Sequence, residues 1–72
     1  MNARKRSAAN AAEREQIKLD QLPRNSVVLD ANGHAWQNGG MYWYRAFGDD
    51  SMIGSWEMRP YGPFRVIHKP RA

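Results

Sequence analysis

The sequence predicts a mostly β (α+β) fold: a small curved antiparallel sheet or SH3-like barrel of about four strands, with a helical or disordered N-terminal appendage. The chain has 72 residues, enough for one modest core. All of its aromatic residues follow residue 25, whereas alanines are concentrated before it. In the second part, short β-branched and aromatic segments alternate with Gly, Asn and Pro at regular spacing, as in small β domains.

The composition divides the chain into two parts. Residues 1–24 form a basic, Ala-rich N-terminal segment with six basic and three acidic residues. Residues 25–72 form an aromatic-rich β domain with five basic and four acidic residues. The basic excess therefore lies mostly in the N-terminal segment, and the β domain as a whole is nearly neutral.

The first segment predicts a helix over residues 7–19, because Ala, Glu, Gln and Lys are good helix formers. Ser7 is the predicted N-cap, and Pro23 prevents the helix from continuing. Large apolar side chains occur only near the far end of the segment. We therefore expect a disordered start up to about residue 10 and docking through Ile17 or Leu19.

The second segment predicts antiparallel strands bounded by turn residues: 26–30, 34–38, 41–47 and 64–69. The first turn, Ala31-Asn32-Gly33, places Gly where positive φ is needed, and Gly39-Gly40 predicts a two-residue hairpin turn. Residues 48–51 form a polar loop. Residues 55–59 predict one helical turn, with Ser55 as its cap and Pro60 as its end.

Strand alternation predicts which side chains are buried. Met41, Trp43 and Phe47 share one face of the third strand, whereas Tyr42 and Tyr44 lie on the other face. We expect the core to contain the large apolar residues of the domain: Val28, Leu29, Trp36, Trp43, Phe47, Trp56, Phe64, Val66 and Ile67.

Several function classes have no residues to support them. The chain has no cysteine, so disulfides, Cys-ligated metals and thiol catalysis are excluded. Adjacent Asp49 and Asp50 lie in a loop with nothing predicted to desolvate them, and the serines have no base at a recognisable spacing. We expect a non-enzyme with no catalytic residue, no cofactor and no small-molecule substrate.

Two patterns resemble metal sites. Asp30-Ala31-Asn32-Gly33 is similar to the start of a calcium loop, but the distal Glu ligand is missing, so we interpret it as a hydrogen-bonded turn. His34 and His68 could meet on neighbouring strands and, together with Asp49 or Asp50, could ligate a metal, yet a zinc site needs three supported ligands. We expect no metal.

The charged N-terminus is not followed by the apolar stretch of a signal peptide, and no apolar run is long enough to span a bilayer. The expectation is a cytoplasmic protein without membrane contact.

The exposed tyrosines and neighbouring arginines have the composition of interface hot spots. The predicted partner-binding residues are Tyr42, Tyr44, Arg45, Tyr61 and Arg65. The predicted function is a non-catalytic protein-binding module that engages another protein or a second copy of itself. The alternative is nucleic-acid binding by the same surface and a basic arm formed by Arg4, Lys5 and Arg6.

One signature suggests a family. The segment 27–37, VVLDANGHAWQ, is followed by an aromatic-rich middle and a late Gly62-Pro63 turn. Over residues 22–69 the chain resembles small, largely uncharacterised proteins of actinobacterial phages and their hosts. The resemblance implies a phage or prophage accessory protein and carries no chemistry. It also implies that the partner is a host or phage protein, and that the location is the host cytoplasm if a phage encodes the chain. His34 stands where these proteins frequently have an acidic residue.

Overall fold

An antiparallel sheet and one long helix carry the fold. The computed structural model describes residues 3–46 and 51–70, with side chains from Asn10 onward. The elements in chain order are α1 (Ala3–Asp20), β1 (Val27–Leu29), β2 (Ala35–Asn38), β3 (Trp43–Arg45), β4 (Met52–Ile53), a 3-10 helix (Ser55–Tyr61) and β5 (Arg65–His68). The predicted mostly β, α+β fold with a helical N-terminal segment is confirmed.

The sheet has five strands in the order β4-β3-β2-β1-β5, and every pair is antiparallel. Four strands follow one another as a meander, and β5 returns to pair with β1. The outermost strands, β4 and β5, are not paired with each other, so the five-stranded antiparallel sheet is not closed. The additional strand, β4, comes from Met52 and Ile53, which the sequence left unassigned.

Helix α1 is longer than predicted. It begins at Ala3, within the segment expected to be disordered, so Ser7 lies inside the helix and does not cap it. Its C-terminal part docks onto the body of the protein. Leu19 is 1% exposed in the core, whereas Ile17 remains half exposed, so one of the two predicted anchors is used.

The connection between β2 and β3 differs from the predicted two-residue turn. Asn38 pairs with Trp43, so residues 39–42 form the connection. It is closed by the Gly39 N–H, which donates to the Tyr42 carbonyl at 2.8 Å. Gly40 has φ of 103°, a conformation that favours glycine. Met41 and Tyr42 therefore belong to a loop and not to a strand.

The core lies between one face of the sheet and the two helices. Its buried members are Leu19, Val28, Trp36, Trp43, Met58 and Phe64. Four predicted members are confirmed: Val28, Trp36, Trp43 and Phe64. Phe47 lies outside the described residues.

Other core predictions are wrong. Trp56 is 66% exposed, because the 3-10 helix turns Met58 and not Trp56 towards the sheet. Val66 and Ile67 are exposed because β5 is an edge strand, and Leu29 is half-buried. The cap of the 3-10 helix is Gly54 instead of Ser55, and Pro60 lies within this helix.

Candidate functional site

The two faces of the sheet have different environments. Directly paired residues of neighbouring strands project to the same side, so the register assigns each side chain to a face. The inner face carries Val28, Trp36 and Trp43, which pack with Leu19 and Met58 from the helices. The opposite side, here called the outer face, carries Val27, Leu29, Ala35, Gln37, Tyr44, Met52, Arg65 and His68. Within residues 3–46 and 51–70, both helices lie against the inner face.

Tyr44 occupies the centre of an exposed row on the outer face. It pairs with Gln37 on β2 and with Met52 on β4. Tyr44 is 44% exposed and Met52 is 50% exposed, so an aromatic ring and a thioether side chain present apolar surface side by side. This arrangement has the features of a protein-contact surface, where tyrosine and methionine are enriched.

The position of the Tyr44 ring depends on Gly39. A Cβ atom added to Gly39 would overlap Cε2 of Tyr44 and lie 2.9 Å from its Cδ2. The ring therefore lies against the backbone at position 39. Glycine at that position leaves the ring space to lie along the outer face.

The predicted partner-binding residues do not form a single surface. Tyr44 and Arg65 lie on the outer face, and Tyr42 lies in the 39–42 loop. Arg45 pairs with inner-face Trp36 and is half-buried, because consecutive residues of a strand project to opposite sides. Tyr61 ends the 3-10 helix, with its ring centroid 5.8 Å from that of Trp36.

The residues of the alternative nucleic-acid site lie in α1. Arg4, Lys5 and Arg6 belong to the first turns of α1, and their side chains lie outside the described part of the structure.

The Asp30 carboxylate organises the turn between β1 and β2. Its Oδ1 accepts hydrogen bonds from the backbone N–H groups of Asn32 at 2.9 Å and His34 at 2.8 Å. Its Oδ2 accepts one from Trp36 Nε1 at 2.9 Å. Burial raises the pKa of Asp30, but these hydrogen bonds outweigh it and hold the pKa below its ordinary value. Gly33 has φ of 85°, which confirms the predicted turn.

The two histidines do not meet on neighbouring strands. His34 precedes β2 and His68 ends β5, and β1 lies between those strands. The His34 Nδ1 atom lies 3.8 Å from Oδ2 of Asp30. This carboxylate already accepts the hydrogen bonds that organise the turn. Among residues 3–46 and 51–70, no three His, Asp or Glu side chains lie close enough together to hold a metal ion. Asp49 and Asp50 lie outside these ranges.

A second carboxylate, the half-buried Glu15, joins α1 to the start of β5. Glu15 Oε1 accepts a hydrogen bond from the Phe64 N–H at 2.7 Å, and Glu15 Oε2 pairs with Lys18 Nζ at 2.9 Å. Lys18 in turn donates to the Phe64 carbonyl at 3.4 Å. Burial raises the pKa of Glu15, but the Lys18 and Phe64 hydrogen bonds outweigh it and the net pKa is lowered.

A groove beside this contact offers little for chemistry. It has a volume of about 410 Å³ and is lined by Ala11, Ala12, Glu15, Arg59, Gly62 and Pro63. Its two charged side chains have partners, since Glu15 holds Phe64 and Arg59 Nε donates to Gln16 at 2.6 Å. The groove thus brings together no acid–base pair on the described residues.

No helix in residues 3–46 or 51–70 has the length and apolar character needed to cross a membrane. Comparison of the chain with protein-family models, with curated proteins and with solved structures finds no match.

Proposed function

We propose that the chain is a non-catalytic protein-binding module whose contact surface is the outer face around Tyr44. The observation that carries this proposal is the exposed Tyr44–Met52 pair on a sheet face away from both helices. A rigid sheet holds the tyrosine with little conformational freedom to lose, which favours binding. Consistent with the sequence resemblance, we propose that the chain is a phage-type accessory protein and that its partner is a host or phage protein in the cytoplasm.

The charge distribution of this surface favours a protein over a nucleic acid. The Tyr44 row consists of uncharged Gln37, Tyr44 and Met52, and affinity for nucleic acid depends chiefly on phosphate contacts made by Lys and Arg. A nucleic-acid site on this face would need basic residues beside the tyrosine. The nearest outer-face arginine, Arg65, lies on β5, separated from β3 by two strands.

Affinity capture with the immobilised protein tests this function. The baits are the native chain, Tyr44→Ala and Trp56→Ala, and the lysate comes from cells in which the chain is naturally made. Trp56 is a matched control, because it is also an exposed aromatic residue but belongs to the 3-10 helix, which lies against the inner face of the sheet. A partner of the outer face stays with the native and Trp56→Ala baits and is lost from Tyr44→Ala.

The affinity for an identified partner should fall about 10- to 100-fold in Tyr44→Ala, typical of an interface hot spot. Arg45→Ala should weaken the complex far less, since Arg45 projects to the inner side. Equal loss in Trp56→Ala would contradict the proposal. A chain that binds labelled DNA or RNA, and loses this on deletion of residues 4–6, would favour the nucleic-acid alternative. Sedimentation above 8.3 kDa would identify a second copy as the partner.

A further inference from the structure

Strand β5 forms an exposed edge of the sheet, opposite the edge formed by β4. All four of its residues are exposed, including Val66 at 37% and Ile67 at 49%. Edge strands present unpaired backbone N–H and C=O groups that can accept a strand from another chain. The direction of these groups on β5 follows from the hydrogen bonds of its neighbours.

The pairing of β1 determines which β5 groups point outward. The Asn38 N–H donates to the Ser26 carbonyl at 2.8 Å, and the Asp30 N–H donates to the His34 carbonyl at 2.8 Å. The backbone N–H and C=O groups of successive residues point to alternate sides of a strand. Within residues 26–30, the backbone groups of the even-numbered residues therefore bond to β2, and those of Leu29 bond to β5. Leu29 pairs with Arg65, which places the Arg65 backbone groups towards β1 and those of Val66 away from the sheet.

Side chains of α1 already bind the outward-pointing backbone groups of Phe64, two residues before Val66. The Phe64 N–H and carbonyl, which point the same way as those of Val66, bind Glu15 and Lys18. A carboxylate is therefore the group that this chain itself uses to satisfy the edge at Phe64. On the other side of Val66 the register shifts by one residue, so the regular edge ends near Ile67.

Charge along this end of the chain is strongly one-sided. Residues 58–72 contain Arg59, Arg65, Lys69 and Arg71 and no acidic residue, whereas residues 25–57 contain one basic and four acidic residues. The near-neutral total of the β domain thus conceals a basic C-terminal stretch of sequence, which includes Arg65 in β5 and Lys69 directly after it. Arg65 and Lys69 are both exposed and flank Val66.

We propose that the β5 edge binds a short, acidic, extended segment of a partner protein as a sixth strand. Val66 supplies the backbone hydrogen bonds, and Arg65 and Lys69 supply the charge complementarity. A second copy of β5 is disfavoured as the occupant, because it would bring two basic segments without acidic residues together. The same two cations and the bulge disfavour pairing of β5 with uncharged strands, so the edge selects for acidic strands. This site is independent of the outer-face proposal.

A synthetic peptide tests the proposal directly. The probe is a blocked peptide that alternates glutamate with valine, compared with a peptide in which lysine replaces glutamate. Amide exchange and chemical shifts of the native chain are recorded by NMR. In the free protein the Val66 amide should exchange rapidly and the Arg65 amide slowly. The acidic peptide should slow Val66 exchange about tenfold, whereas the lysine peptide should have no effect.

Charge variants separate this site from general electrostatic attraction. Arg65→Glu should weaken binding of the acidic peptide about tenfold, and Lys69→Glu, at an exposed position outside the strand, should weaken it similarly. Arg24→Glu is the control, since Arg24 is exposed near Gly40 on the β2–β3 connection. An acidic peptide methylated on its backbone nitrogens should bind at least tenfold more weakly than the parent.

Several outcomes would overturn the proposal. If the methylated peptide binds as tightly as the parent peptide, charge attraction alone accounts for binding. If Arg24→Glu weakens binding as much as Arg65→Glu does, the attraction is not located at β5. A Val66 amide that is already protected in the free protein would mean that the edge is closed. A short single-stranded DNA that shifts Arg65 and Lys69 when the peptide does not would favour nucleic acid.

Discussion

The ring of Tyr44 lies against the backbone of Gly39, in space that a side chain at position 39 would need. Gly39 begins the 39–42 connection after β2, and Tyr44 lies on β3 of the same hairpin, where it pairs with Gln37. This contact links a backbone requirement to a surface property, because the residue type at position 39 controls where an exposed aromatic ring is held.

Gly39→Ala should therefore displace the Tyr44 ring while preserving the fold. Tyr44 is exposed and can rotate away, so the free energy of unfolding should change by less than about 1 kcal/mol. The affinity for an outer-face partner should nevertheless fall, by an amount approaching that of Tyr44→Ala. Denaturant unfolding and a binding titration of the same sample measure the two effects. If the Tyr44 ring is displaced in Gly39→Ala and the affinity is nevertheless unchanged, Tyr44 does not belong to the contact surface.

The three tryptophans should respond very differently to truncation. Trp36→Ala and Trp43→Ala should each cost about 3–5 kcal/mol, comparable to the whole stability of a small domain, because both side chains are at most 3% exposed. Trp56→Ala should change stability by no more than about 0.5 kcal/mol. Urea unfolding monitored by circular dichroism compares the variants. A cooperative, fully stable Trp43→Ala protein would be incompatible with this core.

Acid should destabilise the protein in part through Asp30. Its pKa is lower in the folded chain than the ordinary value of about 3.9, so its stabilising contribution is complete above that pH and is lost as the pH falls through the folded value. Asp30→Asn should cost about 2–3 kcal/mol at neutral pH, because its amide cannot accept from Trp36 Nε1 and both backbone groups as a carboxylate does.

The measurement is the unfolding free energy of both proteins as a function of pH. The difference between native chain and Asp30→Asn should shrink as the solution is acidified below about pH 4. Glu13→Gln serves as a control on an exposed carboxylate of α1. A difference that stays constant down to the acid-unfolded region would show that the charge of Asp30 contributes nothing to the fold.

Removal of residues 1–10 should leave the stability of the domain nearly unchanged. The hydrogen bonds that dock α1 come from Glu15, Gln16, Lys18 and Asp20, and its buried anchor is Leu19. Thermal unfolding should show a shift of no more than a few degrees. A matched truncation that also removes Glu15 and Gln16 should shift it further, since the Phe64 N–H then loses its acceptor. A large loss from the first truncation alone would place stabilising contacts earlier in the helix.

Local sequence pattern was sufficient for much of the fold. An Ala-rich segment followed by short segments between Gly and Pro predicts one helix and a set of antiparallel strands. The Asp30–Gly33 turn depends on residues only a few positions apart, so its chemistry can be read directly from the sequence. The burial of Trp36 and Trp43 also follows from strand alternation around aromatic side chains.

Tertiary packing alone determined which surfaces remain available. The pairing of β5 with β1 makes β5 an edge, so Val66 and Ile67 are exposed although their composition predicts burial. The orientation of the 3-10 helix buries Met58 and exposes Trp56, because a short helix can turn either residue to the sheet and the shape of the core selects one. The separation of Tyr44 from Arg45 could have been inferred from alternation, but the side that the helices cover is a property of long-range packing. A hydrophobic pattern specifies that a face is buried against something, and only contacts between distant segments decide which face that is.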